Sequence, residues 1–294
     1  MTSSEARRII DSYYSKNVHS EDEDFLFVEA LEYLVVTEDD PRAMMDLGGH
    51  YYALRKYDLA LKYYEMASNL DYDDADECLG YVWYYGRTGT KDYDKAFYYF
   101  GRAADRGNIV ARYKLADMYK NGYGVAEDYE KYKQIIRELY PKVKNARNLG
   151  DPLPEIFTRL AHIEAEEGNE DEAVDLYLAA KDFLAQRIRY NPFFGNLNIM
   201  KWLIEDLYKL IVPYPENIFF YDLYYFLTKP CEVNFTYRGK EYTVRAVEEN
   251  GEVVIEFDSK WFRNVDDFMK KAKIGNKLLT DIYDKLGTIT VTEG

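Results

Sequence analysis

Apolar residues fall at helical spacing through most of the first 229 positions and alternate with polar ones after them. AMMDLGGHYY (43–52), ADECLGYVWYY (75–85) and ARYKLADMYKNG (111–122) share one pattern. Each sets an alanine, a leucine four residues on, a small residue beside it, and an aromatic three beyond. These are Ala43, Leu47, Gly48, Tyr51; Ala75, Leu79, Gly80, Trp83; and Ala111, Leu115, Ala116, Tyr119. Offsets of i, i+4, i+5 and i+8 share one helix face. A second segment follows each of them: YDLALKYYEMA (57–67), YDKAFYYFGRA (93–103) and, more worn, YEKYKQIIREL (129–139), 36 residues apart. A further copy, EDEAVDLYLAA (170–180), keeps the alanines and the tyrosine. Ala60, Tyr64, Ala67 and Ala96, Phe100, Ala103 recur at i, i+4, i+7. Gly and Ala let helix backbones approach, and the opposing aromatic fills the remaining space. Neither helix buries its stripe without a neighbour, so the period predicts a stack of helical hairpins.

The connection inside each hairpin varies. Unit one uses LRK before Tyr57, unit two GRTGTKD and unit three NGYGVAED. The longer two carry glycine, which suits a turn. On these residues, units two and three resemble Sel1-like repeats, carried best by "YKNGYGVAEDYEK" and "DYDKAFYYFGRAADRGN". Unit three departs where Tyr132 replaces an alanine and Leu139 the last small residue. Unit one and the segment 155–182, with shorter linkers, are more similar to tetratricopeptide repeats. They do so through Leu47, Gly48, Tyr51, Ala60, Tyr64, Ala67 and through Leu160, Ala161, Gly168, Ala173, Tyr177, Ala180. The resemblance covers roughly 41–182. It implies a right-handed α/α solenoid of Sel1-like/TPR-like helical pairs with repeats near 41–74, 75–110, 111–148 and 154–190. Both families mostly serve as scaffolds for protein contacts.

Flanking helices are expected at SEARRIIDSYY and DFLFVEALEYLVV, the latter behind a capping box of Ser20 and Glu23. NLGDPLP (148–154) and NPFFGN (191–196) break the chain. LNIMKWLIEDLYKLI (197–211) is apolar and helical, ended by Pro213 and Pro215, and ENIFFYDLYYFLTK (216–229) is the last helical candidate. Beyond Lys229-Pro230 the period changes to two. Val233, Phe235, Tyr237, then Tyr242, Val244, Ala246, then Val253, Ile255, Phe257 alternate, with an Asn250-Gly251 turn between the last two runs. NVDDFMKKAKI and NKLLTDIYDKL, split by Gly275, are expected as two helices, and TITVT as a closing strand. The expected domains are therefore 1–229, the helical-repeat solenoid, and 230–294, a small C-terminal α+β domain of three or four strands and two short helices.

Charge narrows the partners. The net charge is −15. From Cys231 onward there are 10 basic and 12 acidic residues, so 28 basic and 41 acidic residues, a net of −13, precede it. An acidic body disfavours nucleic acid and favours basic or amphipathic partners. The first residues lack an apolar core of signal-peptide length, and no apolar run approaches the ~20 residues of a membrane span. A cytoplasmic location is the expectation.

Chemistry is sparse. His19, in an acidic loop, is expected to be solvated, and His50 and His162 share no metal-ligand spacing. The acidic runs EDED (21–24) and YDDADE (72–77) suit caps and solvated turns, and GRTGTKD lacks the spacing of a phosphate-binding loop. Cys78 and Cys231 lie far apart, and Cys78 is expected as a buried or half-buried thiol. Lys270, Lys273 and Lys277 recur at i, i+3, i+7 beside Trp261 and Phe262, a spacing that a nucleic-acid-binding stripe would share with a solvated lysine face. No catalytic, cofactor-binding or metal-binding residue is assigned, and no cofactor is expected. The remaining candidate is a surface. By register with the tetratricopeptide pattern, the concave side would carry Met45, Tyr52, Glu77, Tyr81, Tyr84, Tyr85, Tyr113, Asp117 and Lys120. Tyrosine gives contact area at small rotamer cost. The expected function is a non-catalytic protein-protein interaction scaffold or adaptor whose acidic, tyrosine-rich concave surface binds a peptide or protein. The alternatives are an enzyme or ligand-binding activity in the C-terminal domain, with the repeats as a targeting arm, and a self-assembling structural module.

Overall fold

The computed structural model describes residues 1–16, 18–145, 153–190, 194–211 and 218–293. The breaks expected around NLGDPLP and NPFFGN fall largely outside these residues, as do Pro213 and Pro215. The chain divides into two compact units, Met1–Leu139 and Tyr140–Gly294.

The first unit is an α/α solenoid. Its helices are α1 (Ser3–Tyr14), α2 (Glu21–Glu38), α3 (Pro41–Ala53), α4 (Tyr57–Asn69), α5 (Ala75–Tyr85), α6 (Tyr93–Asp105), α7 (Ile109–Asn121) and α8 (Tyr129–Val143), within which the boundary falls. From α1 to α7 each helix packs on the next in the chain. Helix α1 is no frayed arm. Thr2 and Glu5 form a capping box, as Ser20 and Glu23 do for α2, and Arg7 bridges Glu38 and Asp40 at 2.5 and 3.0 Å. Asp40 also caps α3 by accepting from the backbone N–H groups of Arg42 and Ala43. His19, expected as solvated, is half-buried. Its ring stacks on Tyr13 at 3.6 Å, and Tyr13 stacks in turn on Phe27 of α2.

In the second unit, α9 (Leu153–Glu166), α10 (Glu170–Tyr190) and α11 (Phe194–Leu210) pack in sequence. The expected helix at 216–229 is much shorter: a 3-10 turn at Phe220–Asp222 and one α turn, α12 (Leu223–Phe226). Phe220, Tyr221, Leu223, Tyr224, Phe226 and Leu227 are all buried, with Tyr225 half-buried, so this segment is a largely apolar plug. Asp222 ties the plug to α10. Its carboxylate accepts from the Phe219 N–H at 2.8 Å and meets Lys181 Nζ at 3.1 Å, both side chains being buried.

The strands that follow are β1 (Cys231–Tyr237), β2 (Lys240–Glu249), β3 (Glu252–Phe257) and β4 (Lys260–Phe262). After them come α13 (Val265–Lys271), β5 (Lys273–Ile274), β6 (Lys277–Leu278), α14 (Leu279–Ile282) and β7 (Thr290–Glu293). The main sheet has five strands in the order β4-β3-β2-β1-β7, all neighbours antiparallel. Three two-residue turns build its meander: Arg238-Gly239, Asn250-Gly251 and Asp258-Ser259, with φ positive at both positions of each. This is the turn whose twist matches paired strands. Asp258-Ser259 lacks the glycine that announces such a turn, so β4 is not visible in the alternation. Helix α13 sets Phe268 edge-on against Phe257 and Phe262 at 5.8 and 5.4 Å. The β5/β6 hairpin around Gly275 (φ 60°) takes the end of the first expected helix and the start of the second, which continues as α14 and a 3-10 turn at Tyr283–Lys285. Lys270, Lys273 and Lys277 therefore sit on a helix and two strands, not along one helix face.

Candidate interaction surface

The packing rule read from the repeats holds at atomic detail. A Cβ on Gly80 would lie 2.6 Å from the Phe100 ring. At Gly48 the Tyr64 ring leaves equally little room. Ala116, in the third position of the series, is fully buried. In units one and two the small residue of the first helix thus seats the aromatic ring of its own second helix.

The glycine loops of units two and three are the same structure. Gly86 and Gly122 end α5 and α7 in the left-handed conformation (φ 62° and 66°). The Arg87 N–H then donates to the Val82 carbonyl and the Tyr123 N–H to that of Met118, both at 3.0 Å. Each loop closes by a donation from a capping aspartate: Asp92 N–H to Trp83 at 3.1 Å, Asp128 N–H to Tyr119 at 2.9 Å. In unit one Arg55 takes the left-handed position and Lys56 N–H closes directly on Tyr51. Four fewer residues separate the closing pair there.

These loops and the ends of the first helices carry a continuous aromatic cluster. Tyr81 stacks parallel to Tyr85 at 6.0 Å and edge-on to Phe100 at 5.3 Å. Tyr84 meets Tyr85, Tyr93 and Tyr123, and Tyr93 stacks on Tyr123 at 4.3 Å. Two cations enter the cluster. Lys114 Nζ lies 5.5 Å from the Tyr81 ring and 5.0 Å from that of Tyr113. The Arg87 guanidinium lies over Tyr52, Tyr57 and Tyr85 at 5.6, 5.7 and 4.9 Å, and its Nε donates to Tyr52 Oη at 2.8 Å. Burial pushes the Tyr81 and Tyr84 hydroxyls well above the usual phenol range. The hydrogen bond with Tyr113 adds to this at Tyr81, and the charge of Asp117 at Tyr84.

The nine residues expected on the concave side divide. Tyr52, Tyr81, Tyr84 and Tyr85 share the cluster. Asp117 faces it electrostatically. Tyr113 is buried, 5% exposed, and offers its hydroxyl to Tyr81 instead of to solvent. Met45 packs half-buried into the core between α3 and α5. Glu77 is half-buried and accepts from Asn108 Nδ2 at 2.6 Å. Lys120 turns toward Tyr129 and Tyr132 of α8. Register alone did not place Arg87, Lys114, Tyr93 and Tyr123 in the cluster. The signal was the period itself: Arg87 and Tyr123 stand 36 apart, as Tyr57 and Tyr93 do, and each of the first pair lies over its counterpart in the second.

The acidic run 72–77 is not all solvated. Asp76 is fully buried, accepts from Ser68 Oγ at 2.6 Å, and is paired by Arg102 at 3.3 Å and by Arg106. It locks α4, α5 and α6 together. Cys78 is half-buried beside Tyr64, and burial pushes its thiol up to about 12. Among the described residues, no helix is long and apolar enough to cross a membrane.

Comparison with known proteins agrees with this construction. A sequence model of the Sel1 repeat matches residues 41–72, 79–108 and 109–131. Unit one, nearer in its linker to the tetratricopeptide pattern, is thus matched as well. The third match stops just before Tyr132, where the pattern departs. No curated protein matches the chain. Among solved structures it is similar to a Sel1 repeat protein from Oxalobacter formigenes, with 22% identity and a TM-score of 0.47 over 60% of this chain and 67% of that one. It is also similar to c5321, a protective antigen present in uropathogenic Escherichia coli strains displaying an SLR fold. There the identity is 17% and the TM-score 0.45, over 62% of this chain and 43%, less than half, of that one. Residues 41–72, 79–108 and 109–131 of this chain thus carry Sel1 repeats.

Proposed function

We propose that the chain is a non-catalytic interaction scaffold whose repeats hold a protein or peptide on the concave, tyrosine-rich side of α3, α5 and α7. One observation carries this: Tyr52, Tyr81, Tyr84 and Tyr85 join one aromatic cluster whose rings are fixed by each other and by Phe100, Arg87 and Lys114. A surface of rigid rings binds with little loss of side-chain freedom. Glu77 and Asp117 border it, and the net charge of −13 before Cys231 favours a basic or amphipathic partner. Residues 230–294 would dock a second component. Tyr85 is 44% exposed, so Tyr85→Ala removes a contact surface and little packing. Affinity capture from the native cell should lose its partners with Tyr85→Ala while the circular dichroism stays unchanged. Identical partner sets on both baits would reject the reading.

A further inference from the structure

Arg87 is placed unlike the other half-buried arginines of the first unit. Arg102 and Arg112 are both held by carboxylates, Arg102 by Asp71 and Asp76 and Arg112 by Glu138. Arg87 is gripped by aromatic groups instead. Three tyrosine rings flank its guanidinium, and Tyr52 Oη accepts the Nε–H hydrogen bond. Its Nη1 and Nη2 groups have no acceptor among the described residues. Tyr123, in the same place one repeat later, shows what this position is for in packing: a flat group laid on the first tyrosine of the preceding second helix. A tyrosine suffices for that. The arginine adds an unfilled fork of donors, held rigid by its own stacking.

The neighbourhood reinforces it. Arg55 and Lys56 lie in the loop before Tyr57, and Lys91 in the loop that Arg87 begins. None of these has an ion pair among the described residues. Lys56 and Lys91 instead lie over Tyr51 and Tyr93, each at 5.9 Å. The nearby acids are otherwise placed: Asp92 caps α6 and pairs with Lys95, and Asp58 and Asp94 are in the first turns of α4 and α6, where a helix N-terminus favours them. In a molecule of net charge −15, Arg55, Lys56, Arg87 and Lys91 thus put four cations on two loops that meet where Arg87 lies over Tyr57, none of them in an ion pair among the described residues.

We propose that this loop edge, centred on Arg87, is a docking site for a carboxylate-rich segment of a protein partner. A carboxylate fits the guanidinium fork in a bidentate, planar way that lysine cannot reproduce. The tyrosine walls lower the local dielectric and strengthen the pair. A nucleic-acid strand would also meet cations and rings here, but its phosphates do not offer the planar two-oxygen carboxylate that matches the fork, and the test below separates the two. The inference rests on the scaffold reading and adds a second anchor, acidic in its ligand where the groove is acidic in itself.

The test is fluorescence anisotropy of labelled hexaglutamate with the full chain at low ionic strength, beside hexaglutamine and a hexathymidylate strand. Hexaglutamate should bind and hexaglutamine should be weaker by about tenfold or more, the worth of one charge-assisted fork. Arg87→Lys keeps the charge and loses the fork, and should weaken hexaglutamate by about tenfold with helical content unchanged. Lys56→Glu with Lys91→Glu, at exposed positions, should weaken it without touching the Tyr57 stack. Absence of hexaglutamate binding, equal binding of hexaglutamine, indifference to Arg87→Lys, or tighter binding of hexathymidylate would each overturn the proposal. Partner capture that persists with Arg87→Lys would leave the scaffold reading intact and remove only this anchor.

Discussion

Glu77 sits where burial works against its charge. Desolvation raises its carboxyl pKa above the ordinary glutamate value, the hydrogen bond from Asn108 pulls it back, Asp74 raises it and Lys114 lowers it. The folded chain therefore holds this proton more tightly than the unfolded one. Stability is lost as pH rises from the unfolded value through the raised folded one, and the full cost is present at neutral pH. Glu77→Gln keeps an acceptor for Asn108 and removes the charge. It should raise the melting temperature at neutral pH and give no gain in acid below the carboxylate range. Thermal melts at the two pH values check this, and a gain that grows in acid contradicts it. At this scale the sequence was partly readable. Register grouped Tyr52, Tyr81, Tyr84 and Tyr85, which stacking brings into one cluster, because the repeat fixes which helix positions lie off the packing stripe. It misplaced Tyr113, because α5 and α7 touch and Tyr113 is spent on Tyr81. It missed Arg87, whose partners lie 35 and 30 positions earlier and meet it only when the repeats stack.

Between elements, the small-against-aromatic rule is the strongest constraint. Gly80→Ala would drive a methyl into the Phe100 ring, and overpacking of this kind costs about 1–3 kcal/mol. Urea denaturation should show that loss, partly recovered by adding Phe100→Leu. Gly101, in α6, has nothing within 4 Å of its would-be Cβ. There the same change should stabilise by about 1 kcal/mol, since only helix propensity is altered. Both positions read alike as glycines within helical segments, but only Gly80 belongs to the repeated face. The tail was less legible. Two of the three lysines at helical spacing, Lys273 and Lys277, fell on a hairpin, because the left-handed backbone at Gly275 reverses the chain and Leu279 N–H bonds back to Ala272. Spacing alone cannot register such a reversal.

For the molecule as a whole, the change of period at Lys229-Pro230 does not coincide with the division into compact units at Leu139 and Tyr140. Helices α10 and α11 are tied to later residues. Lys201 pairs with Asp266 at 3.4 Å, and Tyr283 Oη donates to the Ala185 carbonyl at 3.1 Å. A chain ending at Lys229 loses both ties and the sheet. It should melt over a broader range, at lower temperature, than the full chain, whereas a chain ending at residue 145 should keep a cooperative helical melt. Circular dichroism melts of the two truncations decide this, and a sharp, undiminished transition for 1–229 would mean that α9–α11 need no sheet.

The seat that Arg87 and Tyr123 share has a consequence for how such a protein lengthens. Each newcomer in the series lays a flat group on the first tyrosine of its predecessor, and brings a first tyrosine for its successor. The coupling is directional and self-renewing, like a tongue meeting a groove. Splicing a second copy of 75–110 directly after residue 110 would find its place already cut, and would carry with it a duplicate guanidinium, turning a single anionic foothold into a paired one.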